Sequence, residues 1–188
     1  PTMMSAAGCA AANIDGPPMP PKKPGAAQTS VQVKTTLAYT NENAIRNRPC
    51  TPLLEERLVT AVDATYGPGC QIQIYSGGQD RKGVGPNRLG SIRHDDYGSG
   101  GRAADVHVFD RDGQQIAGLE LARLGQFWLA ANFGSAGHEM RGGGIHLDEW
   151  VLPPPGGGRY WTYPASDVTG WGATARAMLA RGAAGHFP

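Results

Sequence analysis

Two short segments alternate strictly between apolar and chemistry-bearing side chains: AADVHVFD at 103–110 and GIHLD at 144–148. In a strand the side-chain period is two, so Asp105 and His107 share one face, and His146 and Asp148 share another. Ile145 and Leu147 then point the other way, into a core. A chain patterned like this is constrained to build a sheet with one apolar face and one face on which ionisable groups collect. If the two strands pair, four ligand-capable side chains lie on that face. Upstream, SIRHDDYGSGG at 91–101 offers a further imidazole, His94, on a glycine-rich loop. His94, Asp105 and His146 make two imidazoles and a carboxylate, a zinc ligand set that leaves a fourth position for water. A metal held in this way lowers the pKa of that water to about 7. His107 is a second source for the first imidazole; like His138 and His186, it also reads as an ordinary hydrogen-bonded or surface histidine.

The flanking sequence supplies covers for the apolar face. Thr51 is placed to cap a helix with Pro52 at its first position and Glu55 and Glu56 in the first turn, where the dipole favours carboxylates. Leu54, Leu58, Val62 and Tyr66 recur at helical spacing, and Gly67-Pro68-Gly69 ends the run. QIQIYS then alternates as a half-buried strand with Ile72 and Ile74 inward. It ends at Gly77-Gly78, before a polar, glycine-rich loop over 79–90 whose length marks it as functional. Asp110-Arg111-Asp112-Gly113 reads as a turn with QQIAG as hairpin partner. A helix is predicted over 119–132, with Leu121, Leu124, Phe127, Trp128 and Ala131 on one side. Further strands are predicted around AGHEM and GIHLD, RYWTY as an edge strand, and an Ala-rich helix over 171–181. Strands and helices mix without a βαβ rhythm, so the fold class is α+β, with a small antiparallel sheet, flanking helices and a single domain over 49–188.

Ahead of it, residues 1–48 read as a Pro/Ala-rich arm or linker. PPMPPKKPG favours extended polyproline geometry and cannot bury enough apolar area to fold alone; SVQVKTTLAYT carries one strand. The 17 basic and 16 acidic residues nearly cancel, which disfavours nucleic acid as a partner. No apolar run reaches the ~18 residues of a membrane span. The first residues lack the basic start and compact apolar stretch of a secretion signal. Cys9, Cys50 and Cys70 have no CxxC spacing and are expected reduced.

The segment Gly101-Arg102-Ala103-Ala104-Asp105, preceded by Ser91 and His94, resembles the SxHxxGxAxD signature of zinc peptidoglycan peptidases. These form the D-Ala-D-Ala carboxypeptidase, L,D-endopeptidase and hedgehog-like group, to which several phage endolysins belong. Tyr75-Ser76-Gly77-Gly78 resembles the SGYR piece of that group. Gly144-Ile145-His146-Leu147-Asp148 and Arg159-Tyr160-Trp161 resemble its closing HxD and RxW pieces, so the likeness spans roughly 52–163. The resemblance implies a hedgehog-like fold, Zn2+ on His94, Asp105 and His146, and a substrate that is a peptide stem or cross-link of peptidoglycan. It also implies a carboxylate that takes the water's proton and passes it to the leaving amine. Arg102 or Arg93 would hold a substrate carboxylate.

The chain departs from the pattern in three ways. Ten residues separate His94 from Asp105, more than the group usually has, as though a short insertion lay around residues 95–99. Ser91 stands one residue too far from His94. The position three before the last His, where many members carry the general base, is Gly143. Asp148 and Glu139 remain as candidates for that base, and Asp148 also reads as a carboxylate that orients His146. Two functions follow as expectations. One is a cell-wall peptidase carried on a phage particle, or held in the host cytoplasm before release, and acting in the cell wall or periplasm. The other is a non-catalytic virion structural or attachment protein that keeps the fold, with the arm as its tether. A sugar-cleaving reading would cast Glu139 and Asp148 as the carboxylate pair, though nothing in their spacing singles them out.

Overall fold

The structure is a computed structural model that describes residues 33–40, 45–81, 83, 85, 90–140, 142–151 and 158–188. The proline-rich part of the arm and Cys9 lie outside the described residues, as do parts of the 79–90 loop and of the proline and glycine stretch before Arg159.

Nine strands and four α-helices occur among the described residues: β1 (Thr36–Tyr39), α1 (Pro52–Tyr66), β2 (Gln71–Ser76), β3 (Gln79–Asp80), β4 (Asp95–Asp96), β5 (Ala103–Phe109), β6 (Gln115–Ile116), α2 (Gly118–Ala130), β7 (Ser135–Met140), β8 (Gly144–Asp148), β9 (Tyr160–Thr162), α3 (Pro164–Val168) and α4 (Gly172–Ala183). The main sheet runs β1-β2-β5-β8-β7-β9, with β6 hairpinned onto β5, and β3 pairs with β4 separately. The fold class is therefore α+β, but the sheet is mixed rather than antiparallel throughout. Its centre, β2-β5-β8-β7, is antiparallel, whereas β1 joins β2 and β9 joins β7 in parallel. Both parallel strands sit at the edges: β1 leads to β2 through α1, and β9 lies beside β7 with β8 intervening in the chain, since a tight turn cannot join a parallel pair. β1 falls inside the 1–48 segment read as arm, so part of that segment belongs to the sheet.

α1 forms as its sequence dictates: the Thr51 hydroxyl accepts from Leu54 N at 3.1 Å, and Gly67 closes it at φ 84°. Leu54, Leu58 and Val62 join Ile72, Ile74, Val106, Val108, Ile145 and Leu147 in one apolar core, together with Leu121, Leu124 and Trp128 of α2 and Leu179 of α4. All of the helical side chains in that set come from i, i+3, i+4 positions of their helices. The Trp128 indole also donates to the Asp148 carbonyl at 3.0 Å, which ties α2 to the end of β8. Cys50 and Cys70 are buried free thiols, as expected. No helix among the described residues is long and apolar enough to cross a membrane.

Candidate metal centre

With the core on one face of the sheet, its opposite face presents Asp105 and His146, which stand directly across from each other in the β5–β8 ladder. His94 arrives from outside the sheet, on a single 3-10 turn (Ile92–His94) whose start is capped by the Ser91 hydroxyl accepting from Arg93 N at 3.2 Å. The His94 ring meets the His146 ring edge-on at 5.1 Å. One ligand atom from each of His94, Asp105 and His146 lies within 4.8 Å of the other two, and all three residues are buried. The longer spacing between His94 and Asp105 is thus absorbed by the loop. His107, the alternative imidazole, stands apart from this group and stacks on Tyr75 at 4.4 Å.

The hydrogen bonds fix where the protons are. A carbonyl only accepts, so the 2.8 Å contact to Gly77 O requires a proton on Nδ1 of His94. Its Nε2 then carries the lone pair, buried without a hydrogen-bond partner and 3.5 Å from Asp105 Oδ1. A buried acceptor left unsatisfied is costly, and a cation bound between it and Asp105 removes that cost. His146 directs Nδ1 at Asp105 Oδ1 (2.8 Å) and Nε2 at Asp148 Oδ2 (3.0 Å). Burial opposes charge on this ring, but the hydrogen bonds to the two carboxylates outweigh it and hold the His146 pKa above the usual histidine value. Burial likewise opposes ionisation of Asp105, and the hydrogen bond from His146 together with the adjacent His94 ring overcomes it, holding the carboxyl far below its usual range. The proton on His146 Nδ1 occupies the place where a metal would bind, so metal uptake must displace it. The donor set of two nitrogens and one carboxylate oxygen, with both histidines held from behind, fits a divalent transition metal.

Asp148 is fully buried and saturated. Oδ1 accepts from Ser135 N (3.0 Å) and Trp150 N (2.9 Å), and Oδ2 accepts from His146 and from Arg93. Burial works against its charge, yet the His146 hydrogen bond and nearby Arg93 keep its pKa below the usual carboxylate value. A carboxylate held this way orients an imidazole well and accepts a further proton poorly. Arg93 lies over the Trp161 ring at 5.1 Å, and Trp161 in turn packs 5.2 Å from His146. Trp161 reaches this position because its partner in the β7–β9 ladder is Gly137, where a Cβ would come within 2.4 Å of the indole.

Two of the proposed site residues point elsewhere. Arg102 pairs with Glu149 (3.6 Å) and covers Trp150 at 5.3 Å, lining a separate cavity of about 430 Å³ with Thr51 and Arg57. Glu139 sits in the irregular end of β7, with its backbone N–H on Ser166 Oγ (2.8 Å) and its carboxylate accepting from Thr169 at 3.4 Å. Reading the sequence also missed two residues of the site. Arg46 Nη1 lies 3.4 Å from Asp105 Oδ2, and Gln79 accepts from Arg46 Nε at 3.1 Å. No periodicity marks either of them; Gln79 alone carried a signal, as the polar residue directly after the Ser76-Gly77-Gly78 strand end. No protein-family model, curated protein or solved structure matches this chain.

Proposed function

We propose that the chain is a zinc-dependent peptidase acting on amide bonds of peptidoglycan stem peptides or cross-links, with the hedgehog-like fold that the sequence resemblance implies. The observation that carries this reading is the convergence of His94 Nε2, Asp105 Oδ1 and His146 Nδ1 at one buried point, with the far nitrogen of each ring held by an acceptor. Zinc held there would polarise the scissile carbonyl and supply hydroxide at neutral pH. The residues of the chain divide the remaining work. Gly77 O and Asp148 fix the tautomers and orientations of the two imidazoles. Trp161 and Arg93 wall one side of His146 and offer an aromatic face and a cation to a peptide. Glu139, two residues beyond the position opposite His146 in β7, is the carboxylate this reading has left for proton transfer, and it would have to leave Thr169 to serve.

A second reading is favoured by a specific observation: Asp148 is saturated and Glu139 is engaged by Thr169, so neither carboxylate is presented as a ready base. In that reading the chain keeps the metal site as a structural or attachment protein of a virion. Delivery by a virion, with the N-terminal segment as tether, would bring the chain to a cell-wall substrate. One experiment separates the two. Metal analysis of the purified chain and of His146→Ala is paired with amine release from purified sacculi by the wild type and Glu139→Gln. The peptidase reading expects zinc that disappears in His146→Ala, and release that falls about 10²–10⁴-fold in Glu139→Gln while zinc is retained. Zinc with no amine release by the wild type supports the attachment protein.

A further inference from the structure

We propose that Arg46, from the segment that precedes α1, is a positioning residue of the metal centre: it holds Asp105 by Oδ2 so that Oδ1 alone is presented to the metal. This deepens the zinc reading and rests on it.

Three observations converge on Arg46. Its guanidinium and the Asp105 carboxylate are 15% and 3% exposed, so their 3.4 Å ion pair is largely shielded from water. Oδ1 of the same carboxylate is the atom turned toward His94 Nε2 and His146 Nδ1, which leaves Oδ2 as the oxygen that Arg46 engages.

The guanidinium is itself held. Gln79 is fully buried and spends its amide nitrogen on Ser91 O (2.7 Å) and Asp95 Oδ1 (2.8 Å), which forces its oxygen toward Arg46 Nε. Ser91 and Asp95 are the residues that flank the 3-10 turn carrying His94. The same amide therefore braces the Arg46 side chain and the His94 turn.

The backbone makes a second link. Gly77 N donates to Arg46 O at 2.7 Å, while Gly77 O receives the His94 Nδ1 proton. Gly77 lies so close to this segment that a Cβ there would stand 2.5 Å from Arg48 O. Only glycine lets residues 46–48 pass near enough for Arg46 to reach Asp105.

A carboxylate can bind a metal through one oxygen or two. A cation fixed on Oδ2 favours the one-oxygen mode and keeps the carboxylate from turning away. Removing such an outer partner typically weakens metal binding 10–100-fold.

The test uses the full chain as wild type, Arg46→Met, Arg46→Lys and Arg48→Ala. Arg48 is the control, since its side chain faces Asp80 and Asp96 on the exposed side of the same segment. Zinc affinity is read by competition with a chelator, and coordination by the visible absorption of the cobalt(II) form. Arg46→Met is expected to bind zinc 10–100-fold more weakly and to lose cobalt absorption intensity as Asp105 adds its second oxygen. Arg48→Ala is expected to match the wild type. Lys keeps the charge but cannot bridge Gln79 and Asp105 together, so Arg46→Lys is expected to fall between them, and it decides the matter if Arg46→Met does not fold. Wild-type zinc affinity and an unchanged cobalt spectrum in the Arg46 variants overturn the positioning role while leaving the zinc site intact. A wild-type chain that binds neither metal overturns the zinc reading, and this inference with it.

Discussion

Asp148 and His138 show two ways in which a buried ionisable group is settled. Asp148 keeps its charge because four donors surround it, and its work is to hold the Nε2 proton of His146. Asp148→Asn leaves Arg93 and two backbone donors facing a neutral amide. It is expected to cost about 3 kcal/mol in denaturant unfolding and to weaken zinc binding roughly 10–100-fold by chelator competition. His146 holds its own proton tightly, so zinc affinity should fall as pH falls through that raised pKa, measured from about pH 9 to about pH 6. His138 lies on the other face and stays neutral, with Nε2–H on Gly118 O (2.8 Å) and Nδ1 accepting from Ser166 Oγ (3.0 Å). Burial holds its pKa below the usual value of 6.5. The unfolded chain therefore takes up a proton first as pH falls below 6.5, and the folded state loses stability from there downward. His138→Gln is expected to flatten the fall in Tm between about pH 7 and about pH 5, and an unaltered slope would assign that fall to other groups.

At the scale of elements, the site depends on how closely neighbouring strands and segments approach. β9 is three residues long and ends the sheet, yet it carries the indole that covers His146. Gly137→Ala drives a methyl into that indole. It is expected to cost about 1–3 kcal/mol and to alter tryptophan fluorescence, while the far edge at β1 is unaffected. Thr51 does two jobs beside the end of β8, capping α1 and donating from its hydroxyl to Glu149 at 3.1 Å. Thr51→Ala removes both and is expected to lower stability by about 1–2 kcal/mol in urea unfolding, with Thr51→Ser recovering most of it.

For the whole molecule, legibility in the sequence followed the range of the interactions. α1 could be read because its cap, first turn, apolar stripe and glycine stop all lie within the helix and its flanks. β5 and β8 could be read because alternation is local, and with them came Asp105 and His146. α3 was not read, since five residues carry no period. The parallel edges were missed because strand direction is decided by crossovers and not by composition. His94 is legible only as a residue type, because a single turn on a glycine-rich loop has no pattern that says where it points; Arg46 carries no local mark of its role because its partners lie 33 and 59 residues away. Metal binding should also be felt globally: an ion that binds only the folded chain adds about 2.7 kcal/mol at a hundredfold excess over its Kd. The measurement that tests the centre most directly is X-ray absorption at the zinc edge on the purified chain, beside Asp105→Ala. We expect one zinc per chain with two imidazole nitrogens at about 2.0–2.1 Å and a carboxylate oxygen at about 2.0–2.2 Å, lost in the variant. A wild-type chain that takes up no zinc near neutral pH, or zinc bound equally by Asp105→Ala, would contradict the site described here.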